Sequence, residues 1–159
     1  MMLKFYCYLN SPIGKLLLEG HEKALTGIFF PKTWTERNID DCLLNKSHFT
    51  GVINQLEEYF RGQRQDFDLV LDLRGTKFQK QVWQELTTIP YGVTCSYADI
   101  ALAINNPKGC RAVGMANGKN PIPIIIPCHR VIGKNGTLTG FGGGLDIKQQ
   151  LLELERKHL

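Results

Sequence analysis

The chain has 159 residues, 43% of them hydrophobic and 21% charged, with a formal net charge of +4. That length fits one domain or two small ones sharing an interface, and the composition excludes an intrinsically disordered chain. The longest strongly apolar run, residues 122–127, is too short to cross a bilayer, and Lys4 is not followed by the apolar core of a signal peptide, so a cytoplasmic protein is expected.

In chain order, residues 3–9, 15–19 and 24–30 are short runs rich in Leu, Ile, Phe and Tyr. Turn signals at Asn10-Ser11-Pro12 and Gly20-His21 separate them, which predicts a small antiparallel β-meander. Residues 49–61 have helical spacing: Val52, Leu56, Tyr59 and Phe60 fall on one face, and Gly62 suits the left-handed end of a helix. Phe67, Leu69, Leu71 and Leu73 recur at every second position, which predicts one more strand or an extended connector. The shift at Arg74-Gly75-Thr76 divides the chain into an N-terminal α/β part, residues 1–75, and a C-terminal part, residues 76–159.

The C-terminal part follows helical rules. Thr76 caps a predicted helix running to about Thr87, with Phe78, Val82 and Leu86 on one stripe. Ser96 with Asp99 forms a capping box ahead of residues 97–104, and Asn105-Asn106 breaks that helix. Pro107 is then expected at the first position of a helix over residues 108–117. Two short helices joined by a tight turn, the second bearing Lys108 and Arg111 beside small Ala112, Gly114 and Ala116, predict a helix-turn-helix. Residues 122–126 read as extended, and Asn135-Gly136 reads as a hairpin turn, which would complete a winged helix. Residues 145–157 close the chain as a helix with Ile147, Leu151 and Leu154 inward. The whole is an α+β protein.

Charge divides with the fold. Residues 1–75 carry 9 basic and 10 acidic side chains, and residues 76–159 carry 10 and 5. Residues 100–145 hold Lys108, Arg111, Lys119, Arg130 and Lys134 and no acid, a segment suited to a polyanion or to a solvated basic face. The cysteines are odd in number and lack C-x-x-C spacing, so free thiols are expected. Pro127-Cys128-His129-Arg130 is the chemical feature. A cysteine beside His and Arg sits in an electropositive setting that favours thiolate, and Pro121, Pro123 and Pro127 stiffen the approach. If that segment is extended, Cys128 and His129 point to opposite sides, and a water between them could carry the proton. A buried cysteine adjacent to His129 by chance is the alternative.

The run from Ile122 through Pro127-Cys128-His129-Arg130-Val131 resembles the methylated-DNA–protein-cysteine methyltransferases, the O6-alkylguanine-DNA alkyltransferases. Support comes in order from Phe78-Gln79, Val82-Trp83, Ile89-Pro90-Tyr91-Gly92, Ser96-Tyr97, Arg111-Ala112-Val113-Gly114, Asn120-Pro121 and Gly143-Gly144-Leu145 through Lys148 to Glu155. Residues 11–16 match more loosely.

The resemblance implies a ribonuclease H-like N-terminal sheet and a winged helix-turn-helix that binds double-stranded DNA through the minor groove with the target nucleotide flipped out. It implies irreversible, single-turnover repair of O6-alkylguanine, and of O4-alkylthymine. Cys128 would accept the alkyl group, and His129 would take its proton through a water. Glu155 would orient His129, Asn120 would support the turn, and Tyr97 would help extrude the nucleotide and donate to guanine N3. Arg111 would fill the gap in the duplex; Ala112, Gly114 and Arg130 would lie at the DNA, and Val131, Pro123, Phe141, Gly142 and Gly143 would line the pocket. Some relatives carry Tyr and Ser at the positions of Phe141 and Gly142, so a roomier pocket is expected here. Neither cofactor nor metal is expected, since Cys7, His21, Cys42 and His48 have no recognised ligand spacing. A monomer is expected. A lesion-binding protein without chemistry would lack Cys128, and a cysteine hydrolase would not need Arg111.

Overall fold

A computed structural model of the chain describes residues 2–138, 141 and 143–159. The N-terminal half is built on a sheet ordered β3 (Ala24–Phe29), β2 (Gly14–His21), β1 (Lys4–Ser11) and β4 (Leu43–Leu44). Strands β1 (Lys4–Ser11) and β2 (Gly14–His21) form a hairpin in register from Lys4↔His21 to Ser11↔Gly14. Its turn needs a glycine: Gly14 has φ +108°, and Ser11 Oγ donates to the Gly14 carbonyl at 2.6 Å. Strand β3 (Ala24–Phe29) pairs antiparallel with β2 through a bulge at Glu19/Gly20. The sheet is antiparallel as expected except at its far edge, where β4 (Leu43–Leu44) runs parallel to β1.

Helix α1 (Pro31–Trp34) follows β3, and the Trp34 indole donates to the Lys15 carbonyl at 2.7 Å, pinning this short turn to β2. Helix α2 (Thr50–Phe60) brings Ile53, Leu56 and Tyr59 into the core. The run 67–73 is a connector rather than a ladder strand. It touches β3 through one bridge, Leu25↔Leu71, with Leu25 N–H donating to the Val70 carbonyl at 3.0 Å.

The C-terminal half contains α3 (Lys77–Leu86), α4 (Tyr97–Ala103), α5 (Cys110–Gly118) and α6 (Leu145–Lys157). The predicted cap at Thr76 forms and is completed as a capping box by Gln79, and the predicted box of Ser96 with Asp99 forms as well. Helix α5 starts later than expected. Asn106 accepts from Gly109 N–H at 2.9 Å, so Pro107 and Lys108 are the middle of a turn with Asn, Pro and Gly at its favoured positions. The turn at Asn135-Gly136 also forms, with Gly136 at φ +78°. Among the described residues, however, no second strand of a wing follows it. Instead β6 (Val131–Ile132) pairs in parallel with β5 (Cys95–Ser96), tying the segment after Cys128 to the start of α4.

One contiguous apolar cluster runs through both halves, from Cys7, Leu16 and Leu56 to Trp83, Val113, Ile126 and Leu151. Within it the Trp83 indole on α3 donates to the Ala116 carbonyl of α5 at 2.8 Å. Among the described residues no helix is long and apolar enough to cross a membrane.

Candidate active site

The loop between α5 and Cys128 is folded tightly, not extended. Asn120 clamps it at both ends: Ile122 N–H donates to Asn120 Oδ1 at 3.0 Å, and Asn120 Nδ2 donates to the Ile126 carbonyl at 2.8 Å. Ile126 N–H closes back on the Ile122 carbonyl at 3.0 Å. Closing so short a loop forces Ile124, a buried β-branched residue, to φ +75°. Backbone strain of this kind costs on the order of 1–3 kcal/mol and persists only where surrounding bonds enforce it. The N-terminal sheet adds an outside brace, because Ile28 N–H on β3 donates to the Pro121 carbonyl at 3.0 Å.

From this loop the chain enters a single turn of 3-10 helix, Cys128–Arg130, with all three side chains buried. This corrects the expectation of an extended Pro-Cys-His-Arg segment. At three residues per turn the side chains fan out in three directions rather than alternating between two. Cys128 lines the cavity, while His129 and Arg130 turn into the core toward Glu155.

Glu155, on α6, is the hub. His129 Nε2 lies 2.6 Å from Oε2, and Arg130 reaches Oε1 through Nε at 2.8 Å and Oε2 through a terminal nitrogen at 2.9 Å. Gly92 N–H donates to Oε1 at 3.0 Å, and the Tyr59 hydroxyl donates to Oε2 at 2.6 Å. Burial works against the carboxylate charge, but the bonds from His129, Arg130 and Tyr59 prevail and hold Glu155 well below the ordinary carboxylate range. Burial also pulls His129 below its usual value, and the adjacent Glu155 only partly offsets it. A neutral His129 that donates from Nε2 carries its lone pair on Nδ1. That atom is buried with no hydrogen-bond partner among the described residues.

Cys128 is 4% exposed, and burial pushes its thiol up to about 11. A hydrogen bond from the Asn120 side chain and the charge of Lys148 act in the opposite direction. The sequence reading of a thiolate-favouring setting is therefore corrected: the nearby Arg130 is neutralised by Glu155, and desolvation dominates. Such a thiol needs a base to react at neutral pH.

Cys128 borders a cavity of about 790 Å³ between the halves, lined also by Pro123, Phe141, Asn117, Phe30 and Ile28. Phe141 and Phe30 rings lie 5.4 Å apart, and Gly143 is packed so closely that an added Cβ would come within 2.6 Å of Phe30. Gly142 lies outside the described residues. Val131 is buried, and its carbonyl accepts from Lys148 Nζ at 2.6 Å; the same ammonium lies 5.9 Å from the centre of the Tyr97 ring.

The remaining expected residues separate into two groups. Arg111 and Ala112 are exposed on the first turn of α5, and Tyr97 is half-buried at the start of α4. Gly114 is half-buried, where a Cβ would sit 3.8 Å from the Tyr97 ring, and Ala116 is buried, so Ala112 is the most exposed of the three small residues. Arg130, expected at the DNA surface, is not available there. It is 6% exposed, and its guanidinium is committed to Glu155 and to the Ile89 carbonyl at 2.7 Å. The sequence reading passed over Tyr59 and Gly92 as partners of Glu155. Tyr59 looked like any inward residue of an amphipathic helix, and a backbone N–H leaves no mark in a sequence.

Comparison with known proteins agrees with this arrangement of a ribonuclease-like unit followed by a DNA-binding unit. The model described as 6-O-methylguanine DNA methyltransferase, ribonuclease-like domain, matches residues 4–73, and the one described as the DNA binding domain of the same proteins matches residues 77–157. The chain belongs to the 6-O-methylguanine DNA methyltransferase family. It is 51% identical over 153 residues to the methylated-DNA–protein-cysteine methyltransferase of Mycolicibacterium paratuberculosis, covering 96% of this chain and 93% of that one. It is also 51% identical over 156 residues to the protein of that name from Methanosarcina mazei, covering 98% and 99%. Among solved structures, Mycobacterium tuberculosis OGT in complex with DNA superposes with a TM-score of 0.92 at 49% identity, covering 97% of this chain and 94% of that one.

Proposed function

We propose that this protein repairs alkylated DNA by moving an alkyl group from O6 of guanine onto Cys128 Sγ, once per molecule. The observation that carries the reading is the buried Cys128–His129–Glu155 arrangement beside an open cavity, in a chain of this family. His129 Nδ1 takes the thiol proton through a water, and Glu155 holds the imidazole in the tautomer that leaves Nδ1 free to accept it. The sulfur then attacks the alkyl carbon. The S–C bond forms as the C–O6 bond breaks, and the electron pair departs on O6 into the purine, which takes a proton to become guanine. Tyr97 donates to N3 and stabilises the charge developing on the ring. The product is a thioether, so the molecule reacts once. O4-alkylthymine presents the same kind of carbon and reacts in the same way.

Duplex DNA hides O6 in the stack, so the target nucleotide must be rotated out, at a cost of a few kcal/mol. Arg111, exposed on α5, fills the gap, and Ala112 beside it lets the helix approach the minor groove. Lys108 and Lys119, both exposed on the flanks of α5, supply phosphate contacts. Pro123, Phe141, Gly142, Gly143 and Val131 shape the pocket. One chain holds every residue of the relay, and a monomer in the cytoplasm suffices.

The test is intact-protein mass spectrometry after incubation with a duplex containing one O6-methylguanine. A stoichiometric gain of one methyl group on Cys128, absent in Cys128→Ser, is expected. Tight lesion binding with unchanged mass would refute the chemistry.

A further inference from the structure

Tyr59 belongs to α2 in the N-terminal half, 96 positions before Glu155, yet its hydroxyl donates to Glu155 Oε2 at 2.6 Å. That is the same oxygen His129 faces at 2.6 Å. Tyr59 is fully buried, and its ring is held by edge contacts to Phe60 at 5.6 Å and Tyr91 at 6.2 Å and by a tilted contact to Phe67 at 5.6 Å. We infer that Tyr59 is a positioning residue of the alkyl-transfer relay, setting the orientation of Glu155 and its hold on the His129 proton. The inference rests on the function proposed above.

The physical case is competition for one oxygen. Three donors, His129, Tyr59 and an Arg130 terminal nitrogen at 2.9 Å, share the lone pairs of Oε2, so the O–H of Tyr59 draws charge away from the bond to His129. Burial and the neighbouring Glu155 charge hold the phenol far above its ordinary value, so it remains a donor throughout the working range. The groups facing the His129–Glu155 pair are Tyr59 from α2, Tyr91 from the segment after α3, Cys128 and Arg130 from the 3-10 turn, and Lys148 from α6. Of these, Tyr59 is the uncharged donor that reaches the carboxylate from the other half of the chain. Removing its O–H strengthens the His129–Glu155 bond, which makes His129 easier to protonate. It also frees one rotation of the carboxylate.

The experiment measures the single-turnover rate of methyl transfer from an O6-methylguanine duplex between pH 5 and 9 for wild type and Tyr59→Phe. The expected result is an acid limb displaced upward by about half to one pH unit and a plateau rate lowered about 3- to 10-fold. Phe60→Leu, which disturbs the same packing and keeps the O–H, is expected to lower the melting temperature without moving that limb. Should Tyr59→Phe fail to fold, 3-fluorotyrosine placed at position 59 is a stronger donor and is expected to move the limb downward. An acid limb identical to wild type in the Phe variant, or in the fluorotyrosine protein, overturns the inference. A wild-type protein that gains no methyl group overturns the proposed function instead, so the two failures are distinct.

Discussion

Asn120→Ala removes the clamp that holds the active-site loop, and its consequence can be worked from the structure. Ile122 N–H loses its acceptor at 3.0 Å in a fully buried setting. An unsatisfied buried donor costs about 1–3 kcal/mol. The Ile126 carbonyl loses the Asn120 amide at 2.8 Å but keeps Cys128 N–H at 2.8 Å, so its loss is smaller, about 1 kcal/mol. The sum is about 2–4 kcal/mol, and relaxation of the strained Ile124 returns part of it. For a chain of this length that corresponds to a fall in melting temperature of about 4–16 °C. The rate should suffer more than the stability. A loop that relaxes carries Cys128 with it, and a displacement near 1 Å can cost about 100-fold. The thiol also loses the Asn120 hydrogen bond that opposes its burial. Calorimetry and single-turnover methyl transfer measure the two effects separately. Asn120→Asp sharpens the test, because it keeps the acceptor for Ile122 but sets a negative charge near the sulfur: stability should lie between wild type and Ala, and the rate should be no better than Ala. A melting temperature within 2 °C of wild type together with a rate within threefold would refute the clamp.

Four further outcomes are expected. Glu155→Gln leaves the Arg130 guanidinium buried without its counter-charge, which should cost about 3–5 kcal/mol in urea unfolding; a loss below 1 kcal/mol would contradict the hub. Folded Glu155 lies below its unfolded value of 4.5 and folded His129 below its unfolded 6.5, so in both windows the unfolded chain binds more protons. Stability should therefore be full above about pH 6.5, start to fall below it as His129 is protonated in the unfolded chain, and fall more steeply below 4.5. A urea midpoint that rises on acidification from pH 7 to 4 would show the sign to be wrong. Gly143→Ala places a Cβ 2.6 Å from the Phe30 ring, not a flexible tip, and should cost about 1–3 kcal/mol by thermal unfolding, whereas a neutral result would mean the loop moves freely. Lys108→Ala should weaken duplex binding in fluorescence anisotropy and reduce the slope of log affinity against log salt by about 0.9; an unchanged slope would remove Lys108 from the interface.

What the sequence disclosed and what it withheld follow a physical division. Helix starts were legible because the Thr76 cap and the Ser96-x-x-Asp99 box encode their hydrogen bonds locally, and the hairpin was legible from the turn signal at Asn10-Ser11-Pro12 for the same reason. The start of α5 was misread because Pro107 suits both a helix's first position and a turn's second, and the Asn106–Gly109 bond decides between them. The extended reading of residues 122–126 failed because β-branched isoleucines favour strands, whereas Asn120, from outside the run, bends it. Arg130 beside Cys128 suggested an exposed cation and a lowered thiol. Only the approach of Glu155, 25 positions later, shows that the charge is already matched.

The two halves divide the chain by composition, yet the site cannot be divided the same way. Among the described residues the N-terminal half braces the site through Ile28 on the Pro121 carbonyl, Phe30 against Phe141 and Gly143, and Tyr59 on Glu155. Each of these contacts fixes a different part: the strained loop that carries Cys128, the wall of the cavity, and the carboxylate behind His129. A thiol held near 11 is a poor nucleophile until its proton is drawn away along one line and its sulfur is aimed along another. Both requirements are geometric, and a loop containing a residue at φ +75° relaxes as soon as its bonds are loosened. The N-terminal sheet and α2 are therefore best understood as the rigid backing of a one-use reaction, in which accuracy of placement substitutes for a permanently activated thiolate.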